Sequence, residues 1–211
     1  MSSPARVGIF GGTFDPPHVG HLIIAEILRQ ALDLAEVRFL PAGRPPHKVL
    51  NDVSADHHRL AMLDLAMLDA PHFSISRVDI DRQGLSYTAD SLTVIRNGLG
   101  PETEMLFLMG QDSMRDLPNW SRPERIVNQA RLGVALRPGF DVSVADVVAH
   151  IPEAEGRIEL VDVPLIGISS RDLRATIRAG GPYRYQVLPS VYDYIEQHHL
   201  YRSPRVDVDA P

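Results

Sequence analysis

Short apolar runs that stop at glycine or proline alternate with longer stretches whose apolar residues recur every three or four positions, and this alternation limits the chain to a small set of folds. Residues 6–10 read as a buried strand closed by Gly11-Gly12, and residues 36–40 as a second closed by Pro41-Ala42-Gly43. Residues 73–81 alternate apolar and polar side chains and read as a third. Further strands are expected over 104–109, 131–136 and 158–163. Helical spacing runs over 18–32, 54–70, 88–97, 142–150, 170–179 and 191–198. Asp15 and Thr88 are candidate N-caps, and Gly98 and Gly180-Gly181-Pro182 are stops. Strands and helices in alternation, joined by short turns, specify an α/β fold: a doubly wound, mostly parallel, Rossmann-like sheet with helices on both faces. Ligands of such sheets sit beyond the carboxyl ends of the strands, where these glycine-rich turns fall.

The first of those turns carries the most chemistry. Gly8-Ile9-Phe10-Gly11-Gly12-Thr13-Phe14-Asp15-Pro16-Pro17-His18-Val19-Gly20-His21-Leu22 takes a strand through paired glycines into a helix start. Backbone N–H groups there are free to face a phosphate, and the missing side chains at Gly11 and Gly12 permit close approach. His18 and His21, three apart, project from one helix face, and Gly20 keeps space open between them. Two imidazoles at that place can donate hydrogen bonds to phosphoryl oxygens. Solvated or capping histidines and a zinc pair are the other readings. The helical zinc signature H-E-x-x-H is absent, and the glycine spacing does not give the dinucleotide fingerprint G-x-G-x-x-G.

The string GGTFDPPHVGH, Gly11 to His21, resembles the mark of the H-x-G-H nucleotidyltransferase superfamily, and most closely that of bacterial nicotinate-nucleotide adenylyltransferases. A second superfamily motif, I-S-S-T-x-I/L-R, is matched by Ile168-Ser169-Ser170-Arg171-Asp172-Leu173-Arg174, with Arg171 replacing the usual threonine. Hydroxyls at a helix start can cap it or bind phosphate, and Arg174, four residues after Ser170, can reach the same anion. Shorter strings resemble the nicotinate branch: Pro45-Pro46-His47-Lys48, Ser86-Tyr87-Thr88-Ala89-Asp90-Ser91-Leu92, Gly110-Gln111-Asp112, Asn119-Trp120-Ser121, Arg137-Pro138-Gly139 and Leu188-Pro189. Plain readings stand beside these. Lys48 is also a solvated loop lysine, Thr88 an N-cap and Trp120, the single tryptophan, a core residue.

The resemblance implies adenylyl transfer from ATP to nicotinate mononucleotide, giving nicotinate adenine dinucleotide and pyrophosphate. It implies His18, His21 and Arg174 as catalytic residues. Gly11, Gly12, Thr13, Phe14, Ser169 and Ser170 would bind ATP. Lys48, Thr88, Asp112, Trp120, Ser121 and Arg137 would bind the mononucleotide, with Trp120 stacked on the pyridine ring. Mg2+ would arrive on ATP, with few or no protein ligands. Phosphopantetheine adenylyltransferase, a cytidylyltransferase and a nicotinamide mononucleotide enzyme are the rivals within the superfamily. An NAD-binding oxidoreductase and a non-catalytic nucleotide-binding module are the rivals outside it.

Composition agrees with a small-molecule enzyme. The 211 residues are 44% apolar and 23% charged, the mix of a globular domain. One nucleotidyltransferase domain is expected over 1–203, its C-terminal helical part at about 168–200, followed by a frayed tail at 204–211. The net charge of -6 speaks against a nucleic-acid partner. Absence of cysteine excludes disulfides, thiolate zinc sites and cysteine nucleophiles. No run approaches the roughly 18 apolar residues of a membrane span, so a cytoplasmic protein without a membrane partner is expected. A homo-oligomer stays open.

Overall fold

The computed structural model describes residues 5–43, 53–139 and 143–202. Its strands are β1 (Arg6–Gly12), β2 (Glu36–Pro41), β3 (Phe73–Ile75), β4 (Glu104–Gly110), β5 (Arg131–Leu136) and β6 (Ile158–Asp162). They form one sheet in the order β3-β2-β1-β4-β5-β6, and every neighbouring pair is parallel. The helices are α1 (Val19–Ala31), α2 (Asp56–Ala66), α3 (Thr88–Asn97), α4 (Gln111–Asp116), α5 (Pro123–Gln129), α6 (Val144–His150), α7 (Ser170–Arg178) and α8 (Pro189–Gln197). The strand order reverses between β1 and β4, opening a crevice beyond their carboxyl ends.

Side-chain alternation on β1 feeds two cores. Val7 and Ile9 join Leu92, Phe107 and Ile126 on one face, while Phe10 joins Ala25, Leu28, Phe39 and Leu63 on the other. Gly8 occupies a β1 position with no room for more: a Cβ there would sit 2.7 Å from methyl carbons of Leu34 and Leu108. A third cluster seals α7 and α8 onto α2, through Leu173, Ile177, Val191 and Ile195 against Met62 and Ala66. That cluster brings the second sequence motif back to the first.

The third strand is shorter than its alternation predicts. Pairing ends at Ile75, and Asp81 N–H then closes a turn on the Arg77 carbonyl. The chain at 79 runs directly over Gly43, where a Cβ would collide with the Asp79 carbonyl. Two helices escaped the periodicity altogether. α4 and α5 span six and seven residues. The caps also differ from expectation. Thr88 is the first helical residue of α3, and Tyr87 occupies its N-cap position. His18, not Asp15, stands at the N-cap position of α1, and Asp15 is buried. Pro45-Pro46-His47-Lys48 and the tail at 204–211 lie outside the described residues.

Candidate active site

The turn between β1 and α1 is held open for close approach. Gly12 lies against the Phe14 ring, 2.6 Å from where a Cβ would be, and Gly11 faces the Phe107 ring at 3.2 Å. Phe14 takes a left-handed backbone, φ 50°, which turns its side chain inward. There it is buried at 1% exposure and packs edge-on against Phe10 and His21. Its ring supports His21, so what Phe14 offers a nucleotide is its backbone.

His18 and His21 meet as the three-residue spacing requires. Their rings stack with centroids 3.7 Å apart and planes 25° apart. His18 N–H donates to His21 Nδ1 at 3.2 Å, so Nδ1 of His21 is an acceptor and the proton of its neutral ring resides on Nε2. His18 is 7% exposed, and among the described residues its buried Nδ1 has no partner. Gly20 is required by this ring, since a Cβ there would lie 3.0 Å from His18 Nδ1 and 3.0 Å from Ile166. Burial depresses the His18 pKa to about 4. Burial, and then the neighbouring His18, hold His21 well below the usual imidazole value. Both rings are therefore neutral donors at physiological pH in the free protein.

That depression has a measurable consequence. Between pH 6.5 and about 4 the unfolded chain binds protons at these positions that the folded chain rejects, so stability falls as pH falls through this window. Above pH 6.5 the contribution is flat. Chemical denaturation of the free protein across pH 4–7 is expected to show this loss, with a shallower slope in His18→Gln. An unchanged slope in that variant would show that His18 titrates normally in the folded state.

The second motif docks directly on the first. Ser170 Oγ donates to the Pro16 carbonyl at 2.8 Å, and Arg174 Nη1 donates to the Asp15 carbonyl at 2.6 Å. Ser169 is the N-cap of α7: its Oγ accepts from Asp172 N–H at 3.1 Å and donates to the Asp172 carboxylate at 2.7 Å. Both hydroxyl protons are thus committed within the protein, and what these serines retain is acceptor capacity and the free N–H groups of the α7 start. Arg171 is exposed. From beneath, the fully buried Arg59 donates through Nη1 to the Thr13 carbonyl at 3.0 Å and through Nη2 to Asp56 Oδ1 at 2.5 Å.

The carboxyl ends of β4 and β5 supply a second set. The Arg137 guanidinium pairs with Asp112, and Arg137 N–H donates to Gln111 Oε1 at 2.9 Å. One carboxylate oxygen of Asp112 therefore accepts from Arg137. Trp120 is half-buried and packs edge-on against Phe107 at 6.2 Å, the same ring that lies under Gly11. Next to Ser121, Arg122 donates to Asp90 of α3 at 2.7 Å, which ties the Trp120-Ser121 bend to the helix begun by Thr88. Ser91 donates to the buried Asp79 and to the Tyr87 carbonyl.

Sequence reasoning missed Arg59, Asp15 and Tyr201 as parts of this site. Tyr201 Oη donates to Asp15 Oδ1 at 2.6 Å. An apolar groove of about 900 Å³ lies between Leu22, Leu65, Phe73 and Leu188, and no arginine or lysine lines it among the described residues. Beyond the carboxyl ends of β1 and β5 the chain instead gathers Gly11, Gly12, Arg174 and Arg137.

This sheet order, with a histidine pair after β1 and an arginine returning on a late helix, defines a class: the match to the cytidylyltransferase-like family covers residues 9–176. Two relatives named "Probable nicotinate-nucleotide adenylyltransferase" extend the likeness. That of Thermomicrobium roseum is 52% identical over 94% of this chain and 92% of its own length. That of Roseiflexus sp. is 42% identical over 95% of this chain and all of its own length. The chain belongs to the nicotinate-nucleotide adenylyltransferase family. A Plasmodium falciparum nicotinic acid mononucleotide adenylyltransferase complexed with NaAD shares the fold at a TM-score of 0.77, with 19% identity over 93% of this chain and 97% of that one.

Proposed function

We propose that the chain joins ATP and nicotinate mononucleotide into nicotinate adenine dinucleotide, releasing pyrophosphate. A 5′-phosphate oxygen of the mononucleotide attacks the α-phosphorus of ATP in line. The bond from that phosphorus to the bridging oxygen of the β-phosphate breaks as the new anhydride forms, and pyrophosphate leaves with its electron pair. No protein nucleophile enters. The observation that carries this reading is the docking of Ser170 and Arg174 on the turn that presents the stacked His18 and His21.

In this reading the N–H groups around Gly11, Gly12, Thr13 and Phe14 approach the ATP phosphates. His18 and His21 donate to oxygens around the α-phosphorus, where charge redistributes in the transition state. Arg174, with the start of α7 at Ser169 and Ser170, takes the β- and γ-phosphates. Trp120 offers its ring to the pyridine, and the Ser121 N–H meets the pyridine carboxylate. Thr88, Asp112, Arg137 and Lys48 complete the mononucleotide side, with Asp112 held by Arg137 and Lys48 outside the described residues. Mg2+ would arrive on ATP, ligated mainly by phosphate oxygens. Such an ion would offset the negative charge of the triphosphate. Residues 1–203 act as one domain in this account, supported by the reach of Tyr201 back to Asp15.

The decisive assay mixes protein, ATP and Mg2+ with either nicotinate or nicotinamide mononucleotide and measures pyrophosphate. Release with the acid form is expected. Release only with phosphopantetheine or a cytidylyl acceptor pair would overturn the reading. Trp120→Ala is expected to raise the KM for the mononucleotide about 10-fold or more, the scale of a lost stacking contact, and that for ATP far less. Equal increases would make Trp120 a packing residue only.

A further inference from the structure

Asp15 is fully buried, yet its carboxylate makes no hydrogen bond with the nearest cation. Its donors are the Tyr201 hydroxyl, 2.6 Å from Oδ1, and the Ser54 N–H, 2.9 Å from Oδ2. Arg174 Nη1 stands 4.0 Å from Oδ2 and gives its hydrogen bond to the Asp15 main-chain carbonyl instead. Building on the adenylyl-transfer reading, we propose that Tyr201 is a positioning residue: by satisfying the Asp15 carboxylate, its hydroxyl keeps the Arg174 guanidinium from closing onto that carboxylate, so that its N–H groups beyond the one held by the Asp15 carbonyl stay available to the β- and γ-phosphates of ATP.

The physical basis is competition for one guanidinium. A buried carboxylate short of donors is costly, and a neighbouring arginine is the strongest donor within reach. Arg174 needs to move little more than 1 Å to close from 4.0 Å to a charge-assisted hydrogen bond. Attraction in a poorly solvated site favours that move, and a guanidinium spent on Asp15 is lost to the triphosphate. Tyr201 prevents this as a permanent donor, because burial and the adjacent Asp15 push its hydroxyl pKa upward. The chain is shaped to deliver it. His199 and Tyr201 both take left-handed backbones, φ 50° and 66°, folding the segment after α8 back over Asp15. The segment after α8 therefore reaches the turn between β1 and α1.

Tyr201→Phe deletes the hydroxyl and keeps the ring. Binding of Mg2+-ATP and of AMP, which lacks the β- and γ-phosphates, is measured by calorimetry, with steady-state kinetics alongside. ATP is expected to bind about 10-fold more weakly, on the scale of a weakened hydrogen bond to a charged group. AMP binding and the KM for nicotinate mononucleotide should stay within about twofold. Adding Asp15→Asn to Tyr201→Phe removes the competing charge and should return ATP affinity to within about threefold of wild type. Equal weakening of ATP and AMP, or no weakening of either, overturns the proposal and leaves Tyr201 a packing residue. Should the double variant fail to fold, the ATP-to-AMP contrast in the single variant decides. Wild-type pyrophosphate release separates the two levels: its absence defeats the reaction, while its presence beside an unchanged Tyr201→Phe defeats only the role of Tyr201.

Discussion

His18→Ala is expected to lower kcat by on the order of 10²-fold or more, with much smaller changes in the KM for either substrate. The size follows from how the ring is held. It is buried, stacked on His21 and seated in space that Gly20 leaves vacant, so it is already positioned when the transition state forms. A preorganised donor acts without reorganisation at the moment of reaction, and its removal costs rate more than binding. The fold should survive. The hydrogen bond at the α1 start comes from the His18 backbone N–H to His21 Nδ1, and alanine keeps that N–H. His18 Nδ1 is itself a buried polar atom without a partner among the described residues, so truncation strands nothing. Circular dichroism and thermal unfolding close to wild type, with turnover reduced a hundredfold, is the expected combination. Near-normal turnover in the folded variant would remove His18 from the chemistry.

Much of this site was legible because its chemistry is local. His18 and His21 are three residues apart, and any helix starting there stacks them on one face. The return of the 168–174 segment was legible only as a resemblance, since no spacing connects residue 174 to residue 15. Contacts across 159 positions depend on α7 and α8 packing against α2, which sequence periodicity cannot aim. The same limit hid Tyr201, 186 residues from the carboxylate it meets. Local signals were also passed over. Pro123 and Pro189 each sit in the first turn of a helix, and Pro123 is followed by Glu124, a start signal that marks α5 despite its seven residues. The third strand ends early for a reason partly written in the sequence: the apolar positions shift phase at Ser76-Arg77, from 73 and 75 to 78 and 80. Beyond the shift Gly43 crosses at Asp79 and Ser86 donates to the Asp79 carbonyl, so the backbone there serves a loop crossing.

Arg59 illustrates the residue that sequence misreads most readily, because an arginine on a helix looks like solvated surface. Arg59→Ala is expected to destabilise the protein by ~3–4 kcal/mol and to lower its midpoint by roughly 6–16 °C. The guanidinium is fully buried between α2 and the phosphate-facing turn. Its loss leaves the Thr13 carbonyl without this donor, at about 1–3 kcal/mol, and opens a cavity whose cost scales as about 24 cal/mol per Å³. The partner carboxylate does not add to this, because the Asp56 side chain is 51% exposed and rehydrates. Arg59→Lys should recover part of the loss, since an ammonium fills much of the space but cannot hold Thr13 and Asp56 with a planar fork. Urea unfolding of the three proteins checks the order wild type, lysine, alanine. A loss under about 1 kcal/mol in the alanine variant would show that the turn does not depend on Arg59. The expected loss would instead identify a buried cation under Thr13 as what lets a loop of glycines and prolines keep one shape before any phosphate arrives.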